Sequence, residues 1–131
     1  MWRDLINLGK NDLILGSGFE AYWIKHYREI WAMWSFLPIN AHNGFVEVLL
    51  NLGVLGLAIV ISVITKSLGL VGSEDQLSRP YGPWYLITLI MFVINNITEA
   101  SLAQVTLGWS LFLLISANSE KDRRQHLSNP N

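Results

Sequence analysis

One long apolar run, from Phe45 to Thr65, constrains the fold more than any other feature of the sequence. It holds about 20 residues, and Glu47 is its charged side chain. A helix of about 20 residues rises about 30 Å, which is the thickness of the hydrocarbon core of a bilayer. The run therefore predicts a membrane-spanning helix, closed by Lys66, in an all-α integral membrane protein.

Two further apolar stretches follow, Tyr81–Thr98 and residues 101–117. Little more than Glu99 and Ala100 separates them, so they predict a tight helical hairpin. Residues 45–117 are therefore expected to form a bundle of about three transmembrane helices. The composition agrees, because 51% hydrophobic and 15% charged residues leave little charge for a soluble domain.

The segment before these spans has the composition of a chain that lies at a membrane surface. Trp2–Leu8 has the apolar spacing of a short amphipathic helix, which Gly9 ends. Phe19–Pro38 mixes aromatic with charged side chains and predicts a surface loop or an interfacial helix. Residues 1–44 are therefore interpreted as one extracytoplasmic loop segment.

Lysine and arginine predict the orientation of the bundle, because cytoplasmic loops carry an excess of both. Five of them lie in the connector after the first span and in the polar tail, residues 118–131, whereas two lie in the aromatic segment before it. We expect the connector and the tail to be cytoplasmic, the tail to be poorly ordered, and the turn at Glu99 to lie outside. The five are Lys66, Arg79, Lys121, Arg123 and Arg124.

Composition also excludes several function classes. The net charge is -1, so nucleic acid is not an expected partner. Cysteine is absent, which excludes thiol catalysis and cysteine-based zinc sites. Gly16–Ala21 fits a loose dinucleotide-binding pattern, but the acidic residue that such a site needs about 20 positions later is missing. Gly16 and Gly18 are instead interpreted as structural glycines that permit a sharp turn at positive φ.

His42 stands directly before the main span. An unperturbed imidazole titrates near pH ~6.5, so it can take a proton from a hydroxyl or donate a hydrogen bond to a leaving oxygen. This interpretation makes His42 a catalytic residue at the outer surface. The alternative is that Asn40 or Asn43 caps the helix and His42 is an interfacial polar residue; the local pattern leaves both open.

Glu47 and Asn51 are four residues apart and share one face in the outer half of the span. Because polar side chains are costly in lipid, we expect this face to point into the bundle or a wet cavity. A helix-packing contact is an equally good interpretation, since Gly53 and Gly56 allow close approach. A second polar cluster at the outer end of the next helix is expected at the same level. Its members are Asn95, Asn96, Thr98 and Glu99.

Two cations precede the span. Lys25 and Arg28 share a face if residues 22–34 are helical. A phosphate or diphosphate at the outer surface needs such side chains. Solvated surface charge is the alternative interpretation.

Three stretches carry a family resemblance. They are His42-Asn43 with Gly53-Val54-Leu55-Gly56 nine residues later, Trp2 with Leu15–Trp23, and Asn96–Ser101. The first resembles the histidine-containing motif of the O-antigen ligase and exopolysaccharide polymerase superfamily. Trp2 with Leu15–Trp23 resembles its tryptophan and LGxGFxxFW stretch, closest to the exopolysaccharide-production branch. Asn96–Ser101 is similar to its Asn-x-Thr-Glu-Ser type segment, so the resemblance covers Trp2 to Ala117.

The resemblance implies a fold and a reaction. Superfamily members are much longer, so the chain resembles the C-terminal portion of a larger glycosyltransferase C-like fold in the bacterial inner membrane. The implied reaction is metal-independent and uses no cofactor. It transfers a glycan from undecaprenyl diphosphate to a sugar hydroxyl on lipid A core or a growing polysaccharide. Whether a chain of this length acts alone stays open, because a superfamily arginine is expected just before Trp2, where Met1 stands.

The same resemblance assigns roles to residues. His42 is expected to be catalytic, with Glu47 and Glu99 positioning the acceptor or His42. Residues expected to bind substrate are Lys25, Arg28, Asn43, Glu47 and Glu99, and the structural residues are Gly16, Gly18, Gly53 and Gly56. Expected partners are the lipid-linked oligosaccharide, the acceptor glycan and membrane lipid. Two alternatives stay open: a non-catalytic multi-pass membrane protein, and a transporter fragment whose polar residues line a solute path.

Overall fold

The computed structural model describes residues 1–38, 40–100, 102 and 107–128, with the side chains of the last helix described at 110–118, 121 and 124. Within these residues every regular element is helical, which confirms the predicted all-α class. The helices are α1 (Trp2–Leu8), α2 (Tyr22–Lys25), α3 (Tyr27–Trp34), α4 (Gly44–Val71), α5 (Glu74–Leu77), α6 (Gly82–Thr98) and α7 (Leu107–Ser128), and a 3-10 turn covers Lys10–Asp12.

The bounds of two predicted helices are confirmed within one residue. α1 ends at Gly9, as its apolar spacing indicated. α6 begins at Gly82 with Pro83 in its first turn. Amides of the first turn have no acceptor within the helix, so proline, which lacks the amide hydrogen, breaks no hydrogen bond there. The helix ends at Thr98, and the C-cap Glu99 that follows has an extended backbone.

The main apolar helix is longer than predicted. At its start Asn43 caps α4, because its side-chain oxygen accepts hydrogen bonds from two amides of the first turn, each at 3.0 Å. At the other end Lys66 does not close the helix, which continues to Val71 and is followed by the C-cap Gly72. A lysine tolerates this position because its side chain is exposed.

The last predicted span differs most from the structure. Ser101 and residues 103–106, where that span was predicted to begin, lie outside the described residues. α7 then runs to Ser128, so the predicted poorly ordered tail is helical there. Its Glu, Lys, Arg and Gln residues are good helix formers, and neither glycine nor proline interrupts them. The number of membrane crossings stays a prediction.

Three helices form the bundle around one apolar core. α4, α6 and α7 pack against one another, and the rings of Phe92 and Phe112 stack with centroids 5.0 Å apart. The buried members are Val48, Ile64, Val71, Leu89, Phe92, Leu102, Phe112 and Ile115.

A second core joins the N-terminal segment to the first half of α4. Its buried residues are Leu5, Tyr22, Ile30, Ala41 and Leu50. The hydroxyl of Tyr22 donates a hydrogen bond to the carbonyl of Leu5 at 2.6 Å, so the buried phenol is paired. The predicted surface segment is therefore a packed layer on α4.

α4 is interrupted at Gly53, whose φ of 69° and ψ of -171° lie in a region that only glycine adopts readily. The segment Leu13–Gly18 is inserted at this break and replaces the missing helical hydrogen bonds. Ser17 and Gly18 donate to the carbonyls of Leu50 and Asn51 at 3.0 and 2.9 Å, and Val54 and Leu55 donate to the carbonyls of Leu13 and Ile14 at 2.7 and 3.4 Å. Two carbonyls before the break and two amides after it are thereby paired.

Glycines make this insertion possible. A Cβ on Gly16 would lie 2.2 Å from the carbonyl oxygen of Asn51, and a Cβ on Gly53 would lie 2.3 Å from that of Ile14. Gly16 and Gly18 have φ of 76° and 107°, the left-handed backbone expected of the turn. Two glycine-containing stretches far apart in the sequence thus touch backbone to backbone.

One helix in the described part of the chain, α4, is long and apolar enough to cross a membrane. Only 28% of its most apolar window is buried, whereas the core helix of a soluble protein is mostly buried. α6, with 17 residues, is a shorter apolar helix. These features are consistent with a membrane protein.

Candidate functional site

His42 lies in the bend that joins the N-terminal layer to α4. Its φ of 49° is a left-handed conformation that few residues other than glycine adopt. Its amide donates a hydrogen bond to Oδ1 of Asn40 at 2.9 Å, and its side chain is exposed. The bend therefore leaves the imidazole accessible to a substrate.

A buried carboxylate holds this bend in place. Glu47 is 5% exposed, and its Oε2 accepts a hydrogen bond from the amide of Ala41 at 2.8 Å. Its Oε1 accepts from Nε1 of Trp23 at 2.7 Å and from Nδ2 of Asn51 at 2.9 Å. Three donors compensate for the burial of the carboxylate. Because Ala41 adjoins His42, Glu47 fixes the backbone from which the imidazole projects.

The peptide next to His42 is held from a second side. Nε1 of Trp2 donates a hydrogen bond to the carbonyl of Ala41 at 2.8 Å. Both backbone polar groups of Ala41 are therefore paired, one with α1 and one with α4. This double attachment keeps the left-handed bend in one conformation.

The first turn of α4 and the last turn of α6 meet beside the bend. Nδ2 of Asn43 donates a hydrogen bond to the carbonyl of Ile97 at 3.0 Å. Asn96 is fully buried, and a Cβ on Gly44 would lie 2.2 Å from its Oδ1. Asn96 of the second polar cluster therefore lies beside the first turn of α4. Glu99 is exposed just beyond α6.

The predicted cations line a groove, here called the α3 groove, with a volume of about 560 Å³. Its walls come from α2, α3 and the chain that follows α3. They are Trp23, Ile24, Lys25, Tyr27, Arg28, Glu29, Leu37 and Pro38. The predicted single helix over residues 22–34 is divided at His26, whose ψ is 18°. Both cations nevertheless reach the same groove.

The two cations differ in their surroundings. Nζ of Lys25 forms a salt bridge and hydrogen bond with the carboxylate of Asp12. That hydrogen bond is the main reason why the pKa of Asp12 is lowered, although partial desolvation opposes it. Arg28 lies in the groove beside Glu29. Lys25 is therefore already neutralised by its own chain.

The phenol of Tyr22 occupies the centre of the N-terminal layer. Burial, assisted by the negative charges of Glu47 and Glu29, raises the pKa of Tyr22. The hydroxyl therefore stays protonated and keeps donating to the carbonyl of Leu5. Its role is structural.

Trp23 is the functional candidate to which the sequence interpretation assigned no role. It lines the α3 groove and also donates to Glu47. Its ring and that of Tyr22 pack nearly at right angles, with centroids 5.4 Å apart. An indole N–H close to a buried carboxylate is a common pairing, but 24 residues separate the two side chains. No local periodicity brings them together.

The break in α4 bears on the transporter alternative. Discontinuous membrane helices in transporters offer free backbone groups to ions and substrates. Here Leu13–Gly18 occupies the groups at the break, so they serve the fold. Among the described residues, no group of three or more His, Asp or Glu side chains is placed to hold a metal ion.

Comparison with known proteins gives one loose relative. The chain is 27% identical over 73 residues to the exopolysaccharide production protein ExoQ of Rhizobium meliloti (strain 1021), which covers 51% of this chain and 17% of that protein. No family model matches the chain, and no solved structure matches it. The similarity links the chain loosely to exopolysaccharide production, and it spans less than a fifth of the relative's length.

Proposed function

We propose that the protein acts in the synthesis of a bacterial cell-surface polysaccharide, at the outer face of the inner membrane. It would help to transfer a glycan from undecaprenyl diphosphate to a sugar hydroxyl, as a polymerase or ligase does. The observation that carries this proposal is the Glu47 network. It holds the bend with the exposed His42 at the head of α4, the described helix that is long and apolar enough to cross a bilayer.

In this proposal His42 takes the proton of the acceptor hydroxyl or donates a hydrogen bond to the departing oxygen. A bond forms between the acceptor oxygen and the anomeric carbon, and the bond from that carbon to the diphosphate oxygen breaks. Negative charge then collects on the diphosphate. Glu47 and Asn43 act as positioning residues through the hydrogen bonds that fix the bend. Lys25, Arg28 and Glu99 are the proposed substrate-binding side chains.

Polymer formation in a strain that carries His42 variants as its sole copy tests the proposal. We expect His42→Ala to lower the yield by about 100-fold or more, which is typical for loss of an acid–base group. His42→Gly relieves the left-handed backbone and His42→Asn tolerates it, so both should also be inactive if the imidazole is required.

Glu20 supplies a matched control. It is a second exposed residue with positive φ, 55°, and Glu20→Ala should leave the yield unchanged. Normal polymer from His42→Gly, at a normal level of protein in the membrane, would remove the proposed role of this residue.

A further inference from the structure

The charges of the α3 groove cancel within the chain. Lys25 is paired with Asp12, and Arg28 and Glu29 line the same groove with opposite charges. Sites for a diphosphate place several uncompensated cations or backbone amides around it. The groove has no such excess of positive charge, so a neutral ligand fits its charges better than a diphosphate does.

The walls combine aromatic and apolar surface with a few hydrogen-bonding groups. Trp23 and Tyr27 supply rings, Leu37 and Pro38 supply apolar surface, and a guanidinium and a carboxylate also line the wall. A pyranose has apolar C–H faces and a rim of hydroxyl groups. Rings pack on such faces, while Arg and Glu donate to and accept from hydroxyls. This mixture matches a sugar.

One wall of the groove is held rigidly before any ligand binds. Nε1 of Trp23 donates to the buried carboxylate of Glu47 at 2.7 Å, and its ring packs nearly at right angles to that of the buried Tyr22. A preorganised aromatic wall lowers the entropy that binding loses. A volume of about 560 Å³ lies within the range of about 300–1,000 Å³ that small-molecule sites occupy.

The groove is also connected to the His42 bend. One oxygen of the Glu47 carboxylate accepts from Trp23 in the groove wall, and the other accepts from the amide of Ala41. The carboxylate of Glu47 therefore connects Trp23, which a ligand in the groove would contact, to the backbone next to His42.

We infer that the α3 groove binds a neutral sugar ring of the glycan and not the diphosphate of the lipid carrier. This inference rests on the proposed function, because it states which part of the substrate Arg28 and Lys25 contact. The diphosphate then needs cations from outside this groove.

Binding to the full chain in lipid nanodiscs tests the inference. Saturation-transfer NMR would follow a panel of neutral glucose and galactose tetrasaccharides, and phosphorus NMR would follow inorganic diphosphate. Tyr27→Ala removes an exposed ring from the wall, whereas Trp31→Ala removes a ring from the same helix that lies outside the groove. Both side chains are 51% exposed, so the pair is matched in exposure.

We expect at least one tetrasaccharide to bind saturably, with affinity weakened about tenfold by Tyr27→Ala and unchanged by Trp31→Ala. Three results would overturn the inference: none of the sugars binds, both ring variants weaken binding equally, or diphosphate binds and Arg28→Gln abolishes that binding. The His42→Ala chain should bind sugar normally. If the His42→Ala chain binds sugar and the strain that carries it makes normal polymer, the proposed function is contradicted and the inference is not. If that strain loses polymer and the chain binds no sugar, the inference is contradicted and the proposed function is not.

Discussion

At the scale of single residues, the fold separates two cations that the sequence presents as equivalent. Lys25 and Arg28 both line the α3 groove, but Lys25 lies against Asp12. The partner comes from the 3-10 turn, 13 residues earlier. The sequence therefore predicts which residues carry charge near the groove. The salt bridge between Lys25 and Asp12 reduces the positive charge that a ligand in the groove would experience.

Replacement of Lys25 by Met should raise the pKa of Asp12 towards its usual value, because the hydrogen bond from Lys25 is the largest cause of its depression. A carboxylate with a lowered pKa in the folded state stabilises the fold above its unfolded pKa, and this contribution is lost as the pH falls through the folded pKa. Wild type should therefore lose this contribution as the pH falls through the folded pKa of Asp12, whereas Lys25→Met has little of it to lose and should show a smaller decrease in stability over the same pH range.

Carboxyl carbon NMR titration of Asp12, together with thermal unfolding between pH ~2 and ~6, measures both effects. Lys10→Met serves as the control, because Lys10 lies on the same turn and is not among the groups that shift the pKa of Asp12. An unchanged Asp12 titration in Lys25→Met would show that the ion pair does not form in solution.

At the scale of elements, the insertion of Leu13–Gly18 into the break of α4 is the central feature. A continuous helix would need no partner here, but the break at Gly53 leaves backbone groups that the inserted segment satisfies. The N-terminal layer is thereby attached to the membrane-length helix by main-chain hydrogen bonds as well as by the core around Tyr22. This backbone contact is the physical reason why Gly16 and Gly53 have no side chain, since a Cβ on either would clash with the other segment.

Gly53→Ala should destabilise the protein by on the order of 3 kcal/mol, from backbone strain and from the clash with Ile14. Gly69→Ala is the matched control on the same helix, since nothing lies within 4 Å of its Cβ. It should be neutral or stabilise the helix by about 0.5–1 kcal/mol. Helicity during thermal unfolding in detergent measures both variants, and equal stabilities would exclude a tight insertion.

At the scale of the whole molecule, exposed aromatic residues lie at both ends of the apolar bundle. Tyr81 and Trp84 are 69% and 67% exposed at the start of α6. Trp31 and Phe36 are exposed on the layer that packs at the other end. Aromatic residues of this kind gather at the two interfaces of a bilayer. α6 rises about 26 Å between these levels, and the arrangement is consistent with a membrane protein.

Single cysteines test the predicted orientation, because the chain has no cysteine of its own. Gly44 is unsuitable as a labelling site, since a Cβ there would meet Asn96 at 2.2 Å. Glu99→Cys and Glu74→Cys are better, because both positions are exposed and lie at opposite ends of α6. An impermeant maleimide added outside intact cells should label position 99 and not position 74. The reverse pattern would place His42 on the cytoplasmic side, away from lipid-linked glycans.

Local sequence patterns predicted the helical class, the end of α1 and the bounds of α6, because helix periodicity, Gly and Pro act over a few residues. They also predicted that Glu47 and Asn51 are shielded from lipid, since a polar pair in an apolar helix has few alternatives, but the pair faces the N-terminal layer and not the bundle interior. Tertiary structure alone decided that Trp23 and Ala41 are the partners of Glu47, that Leu13–Gly18 fills the break at Gly53, and that Asp12 neutralises Lys25. These contacts form between segments that folding brings together, so no local pattern encodes them.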